Sequence, residues 1–249
     1  MIRILLTGAS SGIGAATAQA LAAPGIALAL QARRNRAGAE RVAEAARAAG
    51  AQAIVLEGDL ATTGTGTRLV EEAATAFGGL EVVISNAGFA DRRAVAALDR
   101  AAFEDSQASM TTAFFELAKA AQPWLVKAGA AGRLVGVSSF VAHAFGRGLP
   151  VFPASAAAKA GVEAFARAMA MELAASGGTA NCVSPGFIEK DADAHAAVSR
   201  DRMAEISAMV PLGRYGKTAE VAAVIAFLCS PGAAYVTGQT IHVNGGLTL

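Results

Sequence analysis

Thr7-Gly8-Ala9-Ser10-Ser11-Gly12-Ile13-Gly14 is the stretch on which the reading of the fold turns. It follows a short apolar run, Ile2 to Leu6, and opens an Ala-rich segment, Ala15 to Ala23, that reads as a helix stopping at Pro24-Gly25. Between a strand and a helix such glycines have distinct uses. One allows a sharp turn, another lets the backbone approach a ligand, and a third permits close helix packing. The helix N-terminus then offers N–H groups to a phosphate. A glycine pattern alone is weak evidence, so the rest of the chain has to support it.

The 249 residues suffice for a substantial buried core, and neither a linker, a repeat nor a low-complexity run divides them. Hydrophobic residues make up 54% and charged residues 16%, with a mean hydropathy of +0.43. The apolar runs are too short to span a bilayer: residues 21–30 are broken by Pro24-Gly25, and Val221 to Cys229 is shorter still. The start of the chain carries no charged n-region and no cleavage site, so no signal peptide is expected and a cytoplasmic location follows. Apolar richness without spans suggests a sheet buried on both faces. A formal net charge of +1 gives no reason to expect nucleic acid or an anionic membrane as partner. Cys182 and Cys229 sit in apolar runs and read as reduced core residues. His143, His195 and His242 lack metal-ligand spacing, so no metal is expected.

Apolar strands are expected at 2–6, 26–31, 52–56, 80–85, 132–138, 179–184 and 239–243, and helices at 15–23, 37–49, 68–77, 154–175 and 217–228. A long helical region covers 100–128, with Pro123 as the expected bend. Alternation throughout implies right-handed crossovers. The expected fold is α/β: a single Rossmann-type, doubly wound parallel sheet of about seven strands with helices on both faces, over residues 1–249. Ligands of such sheets lie outside the carboxyl ends of the strands. Function is therefore sought at 7–14, 31–36, 58–60, 85–88, 138–150 and 184–195.

In this fold an acidic residue about 20 positions past the glycines binds the ribose hydroxyls of NAD. Here no Asp or Glu precedes Glu40, and the second strand runs into Gln31-Ala32-Arg33-Arg34. A guanidinium can pair bidentately with a 2′-phosphate, which favours NADP(H) over NAD(H). Arg33 and Arg34 also read as ordinary solvated charges at a helix start. Asp59 either accepts from the adenine amino group or caps the next segment.

Together these residues resemble the classical short-chain dehydrogenase/reductase family over nearly the whole chain. The elements are the TGxxxGIG loop Thr7–Gly14, Asp59, Asn86-Ala87-Gly88, Ser138-Ser139, Lys159, Pro185-Gly186 and Asn244-Gly245-Gly246. The stretches PLGRYG at 211–216 and TGQTIHVNGG at 237–246 look like the bacterial 3-oxoacyl-[acyl-carrier-protein] reductase branch. The resemblance implies cofactor contacts from Gly8, Ser10, Ser11, Gly12, Ile13, Gly14, Arg33, Arg34, Asp59, Leu60, Asn86, Ala87, Gly88, Lys159, Pro185, Gly186 and Ile188. It also implies a homo-oligomer, a tetramer or dimer, built through the helices near 100–128 and 154–175 and the last strand.

The family's chemistry rests on an Asn-Ser-Tyr-Lys set. Tyr exchanges the proton, Lys lowers its pKa and holds the nicotinamide ribose, Ser polarises the substrate oxygen, and Asn holds a relay water. Ser139 and Lys159 match, but the Tyr position is Ser155 and the Asn position is Met110. The Thr expected after Pro-Gly falls on Lys190, and Ser139 and Lys159 are further apart than the family usually shows. Tyr215 and Tyr235 lie in segments that match other parts of the family.

A phenol of pKa about 10 can be tuned by an ammonium, whereas a serine hydroxyl is a weaker acid on a shorter side chain. General acid catalysis contributes about 10² to 10⁴-fold, so its loss slows hydride transfer without abolishing it. Candidate replacements are His143, which also reads as a loop or packing histidine, and Ser155 acting through water, which also reads as a helix-start serine. Ser139 ends a strand at the ligand edge. Lys159 has apolar flanks that suit partial burial, and Asn86 also reads as a plain strand-end turn.

The expected function is an NADP(H)-dependent oxidoreductase interconverting a carbonyl and a secondary alcohol of a small-molecule substrate. The alternatives are an NADP(H)-binding protein with little or no turnover (a sensor or inert subunit), or a non-redox reaction in the same pocket. Residues 187–214, with Asp191, Asp193 and His195, read as a substrate lid.

Overall fold

The computed structural model describes residues 1–145, 148–149, 151–189 and 200–249, with only the backbone of 200–202. Strands β1 (Ile2–Leu6), β2 (Ile26–Ala32), β3 (Gln52–Glu57), β4 (Val82–Ser85), β5 (Arg133–Val137), β6 (Thr179–Pro185) and β7 (Thr240–Val243) form one sheet. Every pairing is parallel, and the order is β3-β2-β1-β4-β5-β6-β7. The expected architecture is borne out: the strands read as continuous apolar runs because helices cover both faces.

One face packs its core on α3 (Thr65–Phe77), α5 (Ala113–Ala128) and α6 (Pro153–Ala174), through Leu69, Phe114, Leu117 and Met169. The other packs on α1 (Gly12–Leu21), α2 (Arg36–Ala48) and α8 (Thr218–Cys229), through Ala18, Val42, Val221 and Ile225. The order of connection reverses between β1 and β4, which opens a crevice at their carboxyl ends.

The long helical region needs one correction. Its irregularity is not at Pro123, which lies inside uninterrupted α5, but in a π-helical stretch at Ala108–Thr112 that joins α4 (Arg100–Gln107) to α5. Here Thr111 Oγ1 donates to the Ala158 carbonyl of α6 at 2.9 Å, and Gly161 makes the room, since a Cβ there would lie 2.9 Å from Thr111 Cγ2. The wide turn lets α4–α5 and α6 meet closely, and such turns concentrate at functional sites. Met110 sits in its middle.

Lys190, Asp191, Asp193 and His195 lie outside the described residues, so the expected lid is followed only at its ends. There Ile188 bridges to Gly216, and Arg200–Met209 form helix α7. Among the described residues no helix is long and apolar enough to cross a membrane.

Candidate functional site

The crevice is a cavity of about 1470 Å³ along the carboxyl ends of β1, β2, β4, β5 and β6. Its floor is the glycine loop, held by hydrogen bonds that leave little freedom. Asn86 Nδ2 donates to the carbonyls of Thr7 (3.0 Å) and Gly8 (3.1 Å), and the amides of Asn86 and Ala87 both donate to Thr7 Oγ1 at 3.0 Å. Gly8 N donates to Gln31 Oε1 at 2.9 Å, and Gln31 Nε2 donates on to the Gly58 carbonyl at 2.8 Å. Thr7 and Gln31 are buried, and sequence reasoning assigned neither this part. The signal was there: each is a lone polar residue at the end of an apolar strand.

The glycines differ in what they do. Gly8 has φ +64° and backs onto Ala87, so a side chain would be both strained and crowded. Gly14 is a packing glycine: a Cβ would lie 2.1 Å from the Gly8 carbonyl oxygen. It does not line the cavity but supports the residue that does. Gly12 has φ +56°, and a Cβ there would meet nothing within 4 Å, so the open space faces the first turn of α1. Ser11, before that turn, makes no side-chain capping hydrogen bond. A glycine-built helix start beside open space suits a phosphate group.

All the other expected cofactor residues line this cavity. At its rim Arg33 Nη1 stands 3.8 Å from Asp59 Oδ2, with both side chains about half exposed. A pair this open is worth about 0–1 kcal/mol, so Arg33 can turn to another anion at small cost. Asp59 Oδ1 meanwhile accepts from the Ala61 amide at 3.1 Å, which is the capping role weighed for it.

At the opposite end β5 delivers Ser138 and Ser139, and α6 delivers Ser155 and Lys159. Lys159 is buried, and its Nζ donates to the Val137 carbonyl at 2.6 Å. Burial draws its pKa down from 10.5 to about 8, with neighbouring Cys182 and Glu163 opposing the shift. A Cβ on Gly88 would lie 3.1 Å from that Nζ and 3.5 Å from Met110 Sδ. The Asn and Lys positions of the family therefore meet here, one of them as an apolar thioether. Ser139 caps the short helix Phe140–Ala142, its Oγ 3.4 Å from the Val141 amide.

Ser155 lines the cavity, but its hydroxyl is committed. It accepts from the Asp91 amide at 2.9 Å and donates to the Phe89 carbonyl at 3.4 Å. His143 does not line the cavity. The Phe140–Ala142 turn carries it beneath α6, where Nε2 lies 2.8 Å from Glu163 Oε1 and the ring meets that of His242 edge-on at 4.5 Å. Ser138 Oγ donates to the same Glu163 oxygen. Burial, then the His143 charge, lowers the His242 pKa. Sequence reading missed Glu163, a buried carboxylate one turn beyond Lys159 in an Ala-rich helix; the i, i+4 spacing was the available signal. It also set Tyr215 aside, yet that phenol lines the cavity beside Phe187, with ring centroids 6.0 Å apart. Tyr235 is fully exposed.

Comparison with known proteins agrees with this geometry. The family profile described as Enoyl-(Acyl carrier protein) reductase matches residues 8–248. The 3-oxoacyl-[acyl-carrier-protein] reductase FabG of Vibrio cholerae is 36% identical, over 98% of this chain and 96% of that protein. The 3-oxoacyl-[acyl-carrier-protein] reductase of Synechocystis is 37% identical over the same shares. Among solved structures, a short chain dehydrogenase from Burkholderia cenocepacia in complex with NADP superposes with a TM-score of 0.91 at 29% identity, covering 100% of this chain and 98% of that one.

Proposed function

The chain belongs to the short-chain dehydrogenase/reductase family, and from that premise we propose that it is an NADP(H)-dependent oxidoreductase interconverting a carbonyl and a secondary alcohol on a small molecule. The observation that carries the reading is one continuous cavity, which joins a glycine-cradled helix start and two rim arginines to a buried lysine and a strand-end serine.

In this reading the amides around Ser10–Ile13 take the pyrophosphate, and Arg33 and Arg34 take the 2′-phosphate. Asp59 and Leu60 flank the adenine. Asn86–Gly88 and Lys159 hold the nicotinamide ribose, and Pro185, Gly186 and Ile188 wall the ring. When bound, the nicotinamide supplies or accepts the hydride. Ser139 donates a hydrogen bond to the substrate oxygen, which polarises the carbonyl and favours the charge that develops on it. Residues 1–249 act as one dinucleotide-binding domain with a lid near 187–214, assembled as a homo-oligomer. Two free cysteines suit a reducing cytoplasm.

Calorimetric titration with NADPH and NADH tests the reading. NADPH is expected to bind at least about tenfold more tightly, a difference of about 1.4 kcal/mol. Absence of saturable NADPH binding would overturn it.

A second reading is an NADP(H)-binding protein with little or no turnover. It is favoured by Met110, which offers no polar atom beyond a weak acceptor, and by the engagement of the Ser155 hydroxyl with backbone. A non-redox reaction in the same pocket has only the missing phenol in its favour. A screen of ketones and alcohols for cofactor turnover, with Ser155→Tyr alongside, separates the three: weak native activity that rises in the variant is the outcome expected of an oxidoreductase.

A further inference from the structure

Building on the oxidoreductase reading, we propose that Lys159 is the direct proton donor of the reaction, its ammonium protonating the substrate oxygen with no intervening hydroxyl acid. The positions around it make this the simplest route. Nζ spends one N–H on the Val137 carbonyl, two residues before Ser139, so the ammonium is pinned beside the strand end that presents the polarising serine. Its other two N–H bonds remain for the cavity, which Lys159 lines. One turn earlier on the same helix face stands Ser155, short and turned into the Phe89–Asp91 backbone, so no long side chain separates Nζ from a bound substrate. Gly88, on the far side, adds no side chain at all, and Met110 closes the apolar wall.

Competing donors are weaker on the same geometry. Ser138 Oγ donates its hydrogen bond to Glu163. His143 faces Glu163 and His242 outside the cavity. Tyr215 lines the cavity on the loop beside Phe187 and is the rival the test has to eliminate. Among the described residues, the titratable groups acting on Lys159 are Cys182 from β6 and Glu163 from α6; Cys182, its thiol pushed up to about 12 by burial, stays neutral. Burial that places the Lys159 pKa at about 8 makes the ammonium a better acid than an exposed lysine at neutral pH.

The step balances. As the carbonyl carbon accepts hydride, the C=O π pair moves onto oxygen. The O–H bond forms as an Nζ–H bond breaks, leaving a neutral amine that regains its proton from water. Oxidation runs the same step in reverse, with the neutral amine as base.

The test uses the full-length protein, with NADPH and 2,3-butanedione or ethyl 3-oxobutanoate as probes. Nitrogen-15 lysine spectra of the cofactor-free protein are expected to show one ammonium, absent in Lys159→Met, titrating at about 8. For reduction, kcat should be flat below about pH 8 and fall about tenfold per unit above it. Tyr215→Phe should keep that profile within about threefold. Lys159→Ala should lose about 10²-fold or more and recover at least about tenfold with added ethylamine, its pH limb moving to the pKa of the added amine. A purely structural lysine would give no such rescue. Turnover with a limb unmoved by ethylamine rescue, or loss of that limb in Tyr215→Phe, overturns this assignment and leaves the oxidoreductase reading standing. NADPH binding without turnover of either probe at any pH overturns both.

Discussion

The two ends of the cavity are built on different principles. At the glycine-loop end the cavity is lined largely by backbone, with Arg33, Arg34 and Asp59 at the rim, and several other polar side chains there serve as clamps. Thr7, Gln31 and Asn86 use their polar atoms to hold the loop. At the reaction end function depends on individual side-chain groups, and several are turned to structural partners. Ser155 braces the Phe89–Asp91 loop, Ser138 and His143 share Glu163, and Met110 fills space. A backbone-built site tolerates neighbouring changes so long as its glycines remain. A side-chain-built site changes its chemistry with one substitution.

The strongest way to break the first half of that contrast is Gly14→Ala. The new Cβ would lie 2.1 Å from the Gly8 carbonyl oxygen and 2.8 Å from Asn86 Nδ2, and the oxygen belongs to the clamped loop. Overpacking of this kind costs about 1–3 kcal/mol or more, and here relief requires moving the cradle itself. We expect NADPH binding to weaken at least about 100-fold by calorimetry, equivalent to about 2.7 kcal/mol. Gly12→Ala, with open space but φ +56°, should cost only about 1–2 kcal/mol of stability. Equal effects from the two would show that close packing is not what distinguishes Gly14.

Lys159→Met probes the opposite end, through stability. The unfolded chain holds the Lys159 proton up to pH 10.5, whereas the folded chain releases it at about 8. Between those values the unfolded state binds more protons, so stability rises with pH across that window. Below pH 8 the buried ammonium imposes its full penalty, about 3 kcal/mol. Denaturant titrations at pH 7 and pH 10 should therefore show wild type gaining relative to Lys159→Met as pH rises. A constant difference between the two proteins would mean that the lysine is not desolvated.

How far each end was legible in the sequence follows from the same contrast. The glycine loop, Asp59, Asn86-Ala87-Gly88 and Pro185-Gly186 are local patterns whose geometry is fixed by backbone needs, and of the contacts expected from them all line the cavity except Gly14, which packs behind the loop. The doubly wound parallel sheet follows from alternation and handedness. The Glu163 network, the engagement of Ser155 and the presence of Tyr215 in the cavity wall each depend on side chains brought together from distant segments, which no local spacing encodes. Ser155 meets Asp91 across 64 residues, and Ser138 meets Glu163 across 25. The irregularity of the 100–128 region was misplaced for a related reason: Pro123 is a visible local signal, whereas the wide turn at 108–112 accompanies the packing of Thr111 against Gly161 on another helix.

Arg33→Ala sharpens the cofactor half. Its ion pair with Asp59 is exposed and weak, so removing the guanidinium should leave folding within about 0.5 kcal/mol of wild type. NADPH affinity should fall about tenfold to thirtyfold while NADH affinity holds, because only NADPH carries the 2′-phosphate proposed to meet Arg33. Equal losses for both dinucleotides would place Arg33 elsewhere than at the 2′ position. Arg34→Ala is the companion measurement.

The smallest effect, and the one that best isolates the reaction end, is Ser155→Ala. The Asp91 amide donates to this buried hydroxyl at 2.9 Å, and the substitution removes that acceptor. An orphaned buried donor costs about 1–3 kcal/mol; since Asp91 opens a loop that can move toward water, the lower part of that range is expected. Amide hydrogen exchange at Asp91 should quicken, while exchange in the glycine loop and NADPH affinity stay within about threefold of wild type, because the two sets of hydrogen bonds share no atom. Loosening of the glycine loop in this variant would show that the two ends of the cavity are coupled through Asn86–Gly88, and the contrast between them would then describe one site rather than two.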